Sequence, residues 1–403
     1  MSPATDVLRA RTAVAVAFAV SGVALASFIS RVPGIRDTLG LSAVQLGLLL
    51  LCASGGSIMG LPLSGRIVHR LGPARAVLTG ALTVTAGLLP LAAGLQTDDV
   101  RLAAIGFVLI GLGIGIWDVA MNVAGADVER RLGRSLMPRL HAAFSVGTVA
   151  GAGVGAASAT TGVPLAVQVF VVAAIVPGSM TVAVRFFLPG NHDAAQDASG
   201  SCGVLAAWAE PRTLLIGLLV LGFAFIEGSA NDWIAVAMVD GYGTSEAVGA
   251  IGFGLFVLAM TVGRLVGGSA LDRFGRVAVL RLTAASTAAG LLAVVLGGST
   301  AWALAGAALW GLGASLGFPV GISAAADDSV RAAARVSVVT SIGYTAFLAG
   351  PPLIGLLAQS AGIRQALLIV LSAVVLGLLA SGASRPLGAA QGPSGFNRVR
   401  RSC

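Results

Sequence analysis

The sequence predicts an all-α integral membrane protein of twelve transmembrane helices, arranged as two pseudo-symmetric six-helix bundles. Three observations carry this. Of 403 residues, 56% are hydrophobic and only 10% charged, with a mean hydropathy of +0.93; soluble domains carry roughly 25% charged residues. Apolar runs of about the 20 residues needed to cross a bilayer recur twelve times along the chain. All 25 basic residues are arginine and cluster in short groups between those runs, a pattern of membrane topology. Glycine, with 56 residues, reaches about twice its usual ~7% share, which suits close helix packing in lipid. A soluble enzyme, a disordered chain and a fibrous protein are excluded.

In order, the runs occupy residues 12–30, 43–64, 75–95, 102–124, 140–161 and 164–188, then 212–236, 247–271, 277–297, 301–325, 336–359 and 365–384. The first follows arginines but lacks a small-residue cleavage site, so it reads as a retained span. Residues 189–211 include Asn191, His192, Asp193 and a Ser-Gly-Ser run and read as a polar linker. They divide an N-terminal bundle (12–188) from a C-terminal bundle (212–384), with a tail at 385–403. With the amino terminus inside, 21 of 25 arginines, Arg264 among them, fall on the inner side. Arg31, Arg36, Arg101 and Arg364 fall outside. The linker, the tail and both termini are therefore expected in the cytoplasm, and the chain in the plasma (inner) membrane as a multi-pass protein.

The halves repeat. Leu109-Ile110-Gly111-Leu112-Gly113 matches Leu309-Trp310-Gly311-Leu312-Gly313, and the stretch from Gly60 to Gly72 matches that from Gly263 to Gly275. A parallel repeat of this kind places a solute cavity between the halves near the midplane. The formal net charge of +8 does not indicate nucleic-acid binding, because no basic face or aromatic platform accompanies the arginines. Cys52, Cys202 and Cys403 are too scattered for a disulfide framework or a metal site. No phosphate-binding loop, cofactor motif or catalytic triad occurs, so no cofactor, metal or catalytic residue is expected.

Polar side chains inside spans are costly and usually face a cavity or a partner. Gly111, Gly115, Asp118 and Asn122 recur at helical spacing in span 4. His141 opens span 5 at a compatible depth, so Asp118 and His141 read as a pair able to hold a proton; the alternative is a structural tie between helices. In span 7, Glu227 and Asn231 share a face, followed by Asp232 and by Trp233, a candidate stacking surface for a sugar ring. These residues read as solute- or proton-handling, against an outer-gate structural pair. Arg31 reads as an outer anchor or gate, and Tyr344 and Gln45 as lesser solute contacts.

Gly263-Arg264-Leu265-Val266-Gly267-Gly268-Ser269-Ala270-Leu271-Asp272-Arg273-Phe274-Gly275-Arg276 resembles the signature loop of the major facilitator superfamily, which recurs between spans 8 and 9. The resemblance implies an inner gate built on Gly263, Asp272, Arg273, Gly275 and Arg276. The first copy departs from it, with His69 for Asp272 and Pro73 for Arg276. Phe107 stands where many proton-driven exporters of the family place an arginine, and Ala152 replaces the proline of the antiporter signature. Trp117-Asp118-Val119-Ala120-Met121-Asn122, Val128-Glu129-Arg130 and Glu227-Gly228-Ser229-Ala230-Asn231-Asp232-Trp233 are similar to the rhizopine-transporter (MosC-like) subgroup. That likeness implies a sugar-, cyclitol- or amino-sugar-like solute.

The expected function is secondary active transport of a small polar solute by alternating access, coupled to protons and working as a monomer in the lipid bilayer. An exporter of a drug or secondary metabolite is the alternative within transport. A transporter-like membrane sensor is the alternative from another class.

Overall fold

The computed structural model describes residues 3–133, 136–188, 206–327 and 331–386, and every regular element among them is helical. The first half comprises α1 (Pro3–Ile29), the short α2 (Val32–Thr38), α3 (Ala43–Leu71), α4 (Pro73–Thr97), α5 (Val100–Leu132), α6 (Met137–Thr160) and α7 (Leu165–Ala183). The second comprises α8 (Pro211–Tyr242), α9 (Glu246–Leu296), α10 (Thr300–Ala314), α11 (Gly317–Ala325), α12 (Ala332–Ala361), α13 (Ile363–Ala366) and α14 (Val370–Ala380). Most of the expected linker and tail lies outside the described residues.

Eleven helical segments are long and apolar enough to cross a bilayer. One of them, the 51-residue α9, reverses direction at Gly275 (φ 75°, ψ 161°). It therefore supplies both the eighth and ninth spans, and the crossings number twelve. Several helices run past the predicted apolar limits, because polar ends and caps continue them. Ser42 and Gln45 close a capping box at the start of α3, which makes Gln45 a cap rather than a solute contact. Asp99 accepts from the amides of Arg101 and Leu102 at the start of α5, satisfying donors that a helix end leaves free.

The repeat seen in the sequence is a repeat of contacts. Gly111 packs on Ala53 and Gly113 on Val84; their counterparts Gly311 and Gly313 pack on Phe256 and Thr287. Gly87 of α4 and Gly106 of α5 meet so closely that a Cβ on Gly87 would lie 2.6 Å from the Gly106 carbonyl oxygen. Gly290 of α9 and Gly306 of α10 meet in the same way, again at 2.6 Å. Such approaches let dispersion and backbone contacts hold helices together where lipid supplies no hydrophobic drive.

Gly72, between α3 and α4, has φ 79° and ψ 162°, almost the conformation of Gly275. Only glycine occupies this region readily, and other residues there cost about 1–3 kcal/mol. Nothing lies within 4 Å of a Cβ at either position. The cost of Gly275→Ala is thus backbone strain alone. A loss of about 1–3 kcal/mol is expected, seen as a lower unfolding temperature in detergent. An unchanged temperature would show that the reversal relaxes freely.

Arg66, Arg75, Arg139, Arg185, Arg212, Arg276 and Arg335 gather at one face of the helix array, with the start of α1, and Arg31, Arg36, Arg101 and Arg364 at the other. Arg264 counts with the inner-side arginines but belongs to the predicted span 247–271; it lies in α9 some 18 residues past Glu246, ~27 Å along the helix, well inside that span.

Candidate functional site

Between the halves lies a cavity of about 260 Å³. Helices α1, α3 and α5 wall it on one side, and α8 and α12 on the other. Phe28, Phe107, Phe347, Leu50 and Ile110 make most of its surface apolar; Ser54, Ser57, Tyr344 and Asp232 supply the polar groups. Asp232 is half-buried and takes part in no hydrogen bond or ion pair with any described residue. Asp232 is thus a carboxylate in an aromatic-rich enclosure that no described protein group neutralises.

Asp118 stands close by, within electrostatic reach of the Tyr344 hydroxyl. Its carboxylate accepts from the Asn122 side-chain amide at 3.3 Å, and its backbone carbonyl accepts from the same group at 2.8 Å. The expected Asp118–His141 pair does not form. His141 instead packs edge-on against Phe18, ring centroids 5.3 Å apart, and lies within electrostatic reach of Arg264. Equal depth in two helices did not bring the side chains onto facing surfaces.

Glu227 has a partner that residue order alone did not indicate. Arg264 donates to both Glu227 carboxylate oxygens, at 3.1 and 3.3 Å, and to the Ser315 carbonyl at 3.3 Å. Asn231, one turn beyond Glu227, is half-buried and forms no hydrogen bond with a described residue. Trp233 is not a stacking surface in the central cavity. It is fully buried and lines a separate pocket near the arginine-poor face with Arg36 and Asp240. One residue of helix turns a side chain about 100°, so Asp232 and Trp233 look in different directions.

The halves are joined at the arginine-poor face. Arg31, only 7% exposed, donates to Glu246 Oε2 at 3.0 and 2.8 Å, to the Val163 carbonyl at 3.0 Å and to Gln168 Oε1 at 3.2 Å. Arg36 pairs with Asp240, also across the halves. Gly47 and Gly355 bring α3 and α12 into backbone contact at the same end. Toward the arginine-rich face, the pairs Arg212–Asp327, Arg276–Asp327 and Arg335–Glu210 each lie within the second half. The cavity is therefore sealed from the arginine-poor side. Arg31 is thus a buried bridge between the halves.

The signature loop differs from expectation in its acidic member. Asp272 is exposed and unpaired with any described residue. Arg276 instead donates to Asp327 at 2.8 Å and to Ser323 at 2.9 Å, and Arg212 donates to the other Asp327 oxygen at 2.8 Å. Arg273 lies over the Phe274 ring at 5.2 Å. Gly263 packs against Ser315. Asp327 follows α11, 51 residues after Arg276, and no spacing rule connects the two.

Glu210, just before α8, is clamped to the start of α12. It accepts from Arg335 at 2.6 Å, Thr213 at 2.8 Å and Arg331 at 2.9 Å. The Arg335 guanidinium, then Thr213 and Arg331, hold its carboxyl down at about 2, against an ordinary 4.5. The folded value is lowered, so this contribution is complete above pH 4.5 and is lost as pH falls through about 2. The wild type should exceed Glu210→Gln in unfolding temperature at pH 6, with the gap closing toward pH 2. A gap independent of pH would show that the clamp is not ionic.

The major facilitator superfamily model matches residues 218–398. An uncharacterized transporter of Sinorhizobium fredii is 33% identical over 91% of this chain and 96% of its own length. An uncharacterized MFS-type transporter of Yersinia pestis is 33% identical over 87% and 89%. Membrane protein MosC of Rhizobium meliloti is 28% identical over 92% and 89%. Among solved structures, the nucleoside transporter NupG superposes with a TM-score of 0.75 at 15% identity, over 94% of this chain and 99% of that one. The E. coli fucose:proton symporter FucP gives 0.66 at 16% identity, over 93% and 98%. The twelve-span repeat, the cavity between its halves and relatives matched along nearly their whole length agree: this chain belongs to the major facilitator superfamily of membrane transporters.

Proposed function

We propose that the protein is a proton-coupled secondary carrier of a small, amine-bearing polar solute of the amino-sugar or aminocyclitol kind. The unpaired Asp232 carboxylate in the central cavity carries this reading. It offers a counter-charge to a solute ammonium, while Phe28, Phe107 and Phe347 suit the apolar face of a ring and Ser54, Ser57 and Tyr344 suit its hydroxyls. Asp118, outside the cavity wall but beside Tyr344, is the proton carrier. Two carboxylates with different surroundings divide the two tasks. Glu227 is a poorer carrier because Arg264 already neutralises it.

The arginine-rich face is cytoplasmic in this reading, so the sealed side is the outer one and the described conformation faces inward. Cys202 lies outside the described residues but tests the orientation: with the other cysteines replaced, it should resist impermeant thiol reagents in intact cells. Ready labelling from outside would reverse the topology. The largely apolar wall also favours a second reading, export of an amphiphilic organic cation.

A thermal-shift screen of purified protein against sugars, cyclitols, amino sugars and cationic drugs separates these. Amino sugars should raise the unfolding temperature and neutral sugars of the same size should not. Stabilisation by bulky cations alone favours the exporter, and stabilisation by neutral sugars alone overturns the role given to Asp232.

A further inference from the structure

Away from the solute path, α1 and α7 leave a groove of about 750 Å³ on the outside of the first half, at its arginine-rich end. Both walls are helical faces. Leu8, Thr12 and Val16 recur every four residues on α1; Ser179, Val182 and Phe186 recur at helical spacing along α7 and the turn that extends it. Leu8 to Val16 spans ~12 Å of helix. Leu8, Val16, Val182 and Phe186 are 46%, 38%, 57% and 47% exposed, so the slot opens toward the bilayer rather than into the protein. Arg9 and Arg11 line it near the amino-terminal end of α1. Arg11 is half-buried and has no ion-pair partner among the described residues.

Two arginines over an apolar slot match a molecule with a phosphate at one end and a hydrocarbon chain at the other. We propose that this groove binds an anionic phospholipid, its headgroup phosphate against Arg9 and Arg11 and one acyl chain along Val16 and Val182. Guanidinium groups suit phosphate through paired, charge-assisted donors, and basic pockets beside membrane helices on one face attract acidic headgroups. Arg11 then gains the counter-charge that the protein does not supply. The inference is independent of the solute reading, because neither Asp232 nor Asp118 touches the groove.

Native mass spectrometry of the full chain, purified in mild detergent and titrated with phosphatidylglycerol or phosphatidylcholine of equal chain length, tests it. The wild type should retain phosphatidylglycerol at least tenfold better than phosphatidylcholine. Arg9→Gln/Arg11→Gln should erase that preference. Ser179→Phe, which fills the slot and leaves both arginines, should weaken retention of both lipids and serves if the double variant folds poorly. Inorganic phosphate should not displace the lipid at millimolar concentration; displacement would reduce the site to a simple anion site and overturn the acyl contribution. Equal retention of the two lipids by the wild type, or an unchanged preference in the double variant, overturns the proposal.

Discussion

Glu246→Gln is expected to open the cavity toward the arginine-poor face. In the described conformation Glu246 is the main cross-half partner of Arg31, through two bonds of 3.0 and 2.8 Å. The arginine is almost wholly buried while the glutamate is 30% exposed. Hydrogen bonds to charged groups contribute about 1.5–3 kcal/mol each way, and every 1.4 kcal/mol is tenfold in population. The loss should therefore shift the balance toward the form open at the arginine-poor face by roughly 10–100-fold. A cysteine introduced by Leu50→Cys, with native cysteines replaced, reports this, because Leu50 lines the cavity and is only 4% exposed. Its labelling by an impermeant reagent from the arginine-poor side should accelerate in the Glu246→Gln background. Arg31→Gln should do the same, since Val163 and Gln168 on the same half lose their donor without any new closure. Unchanged labelling in both would mean that the helix contacts at Gly47 and Gly355 hold the seal unaided.

The second large effect concerns the ligand. Asp232→Asn removes the negative charge from the cavity while keeping its size. Removing one member of an enclosed charge pair costs about 2–5 kcal/mol, so solute affinity should fall at least ~30-fold. Expression and unfolding temperature should hold, because Asp232 bonds to no described residue and its replacement leaves nothing unsatisfied. Affinity should be read by equilibrium binding of the compound that the thermal-shift screen selects. A variant that binds as tightly as the wild type would move the recognition site elsewhere.

Much of the fold could be read from residue order because its causes are local. Apolar length sets the spans, arginine clusters set the faces, and glycines at matching positions, such as Gly72 and Gly275, set the reversals. Even the repeat survived into the contacts of Gly111 and Gly311. The site was readable only in part. Asp118, Glu227 and Asp232 stand out because charge inside a span is rare, but a sequence does not say which neighbour a side chain meets. Arg264 is 37 residues from Glu227 and Glu246 is 215 from Arg31; such partners are set by how bundles pack. The same limit misdirected the reading of Trp233, which turns away from the cavity, and of Asp272, whose expected role at the inner face falls to Asp327. Arg264 counts with the inner-side arginines because arginines usually mark that face, yet it sits within its span, held there by its ion pair with Glu227.

The central claim is that Asp232 holds the solute and Asp118 the proton. Proteoliposomes loaded for two assays test it most directly: accumulation driven by an imposed pH gradient, and exchange between equal solute concentrations. Exchange needs solute binding and movement of the halves but no net proton transfer. Asp118→Asn should lose gradient-driven accumulation and keep exchange, while Asp232→Asn should lose both. If Asp118→Asn still concentrates solute under the gradient, or Asp232→Asn exchanges at the wild-type rate, the assignment of the two carboxylates is wrong.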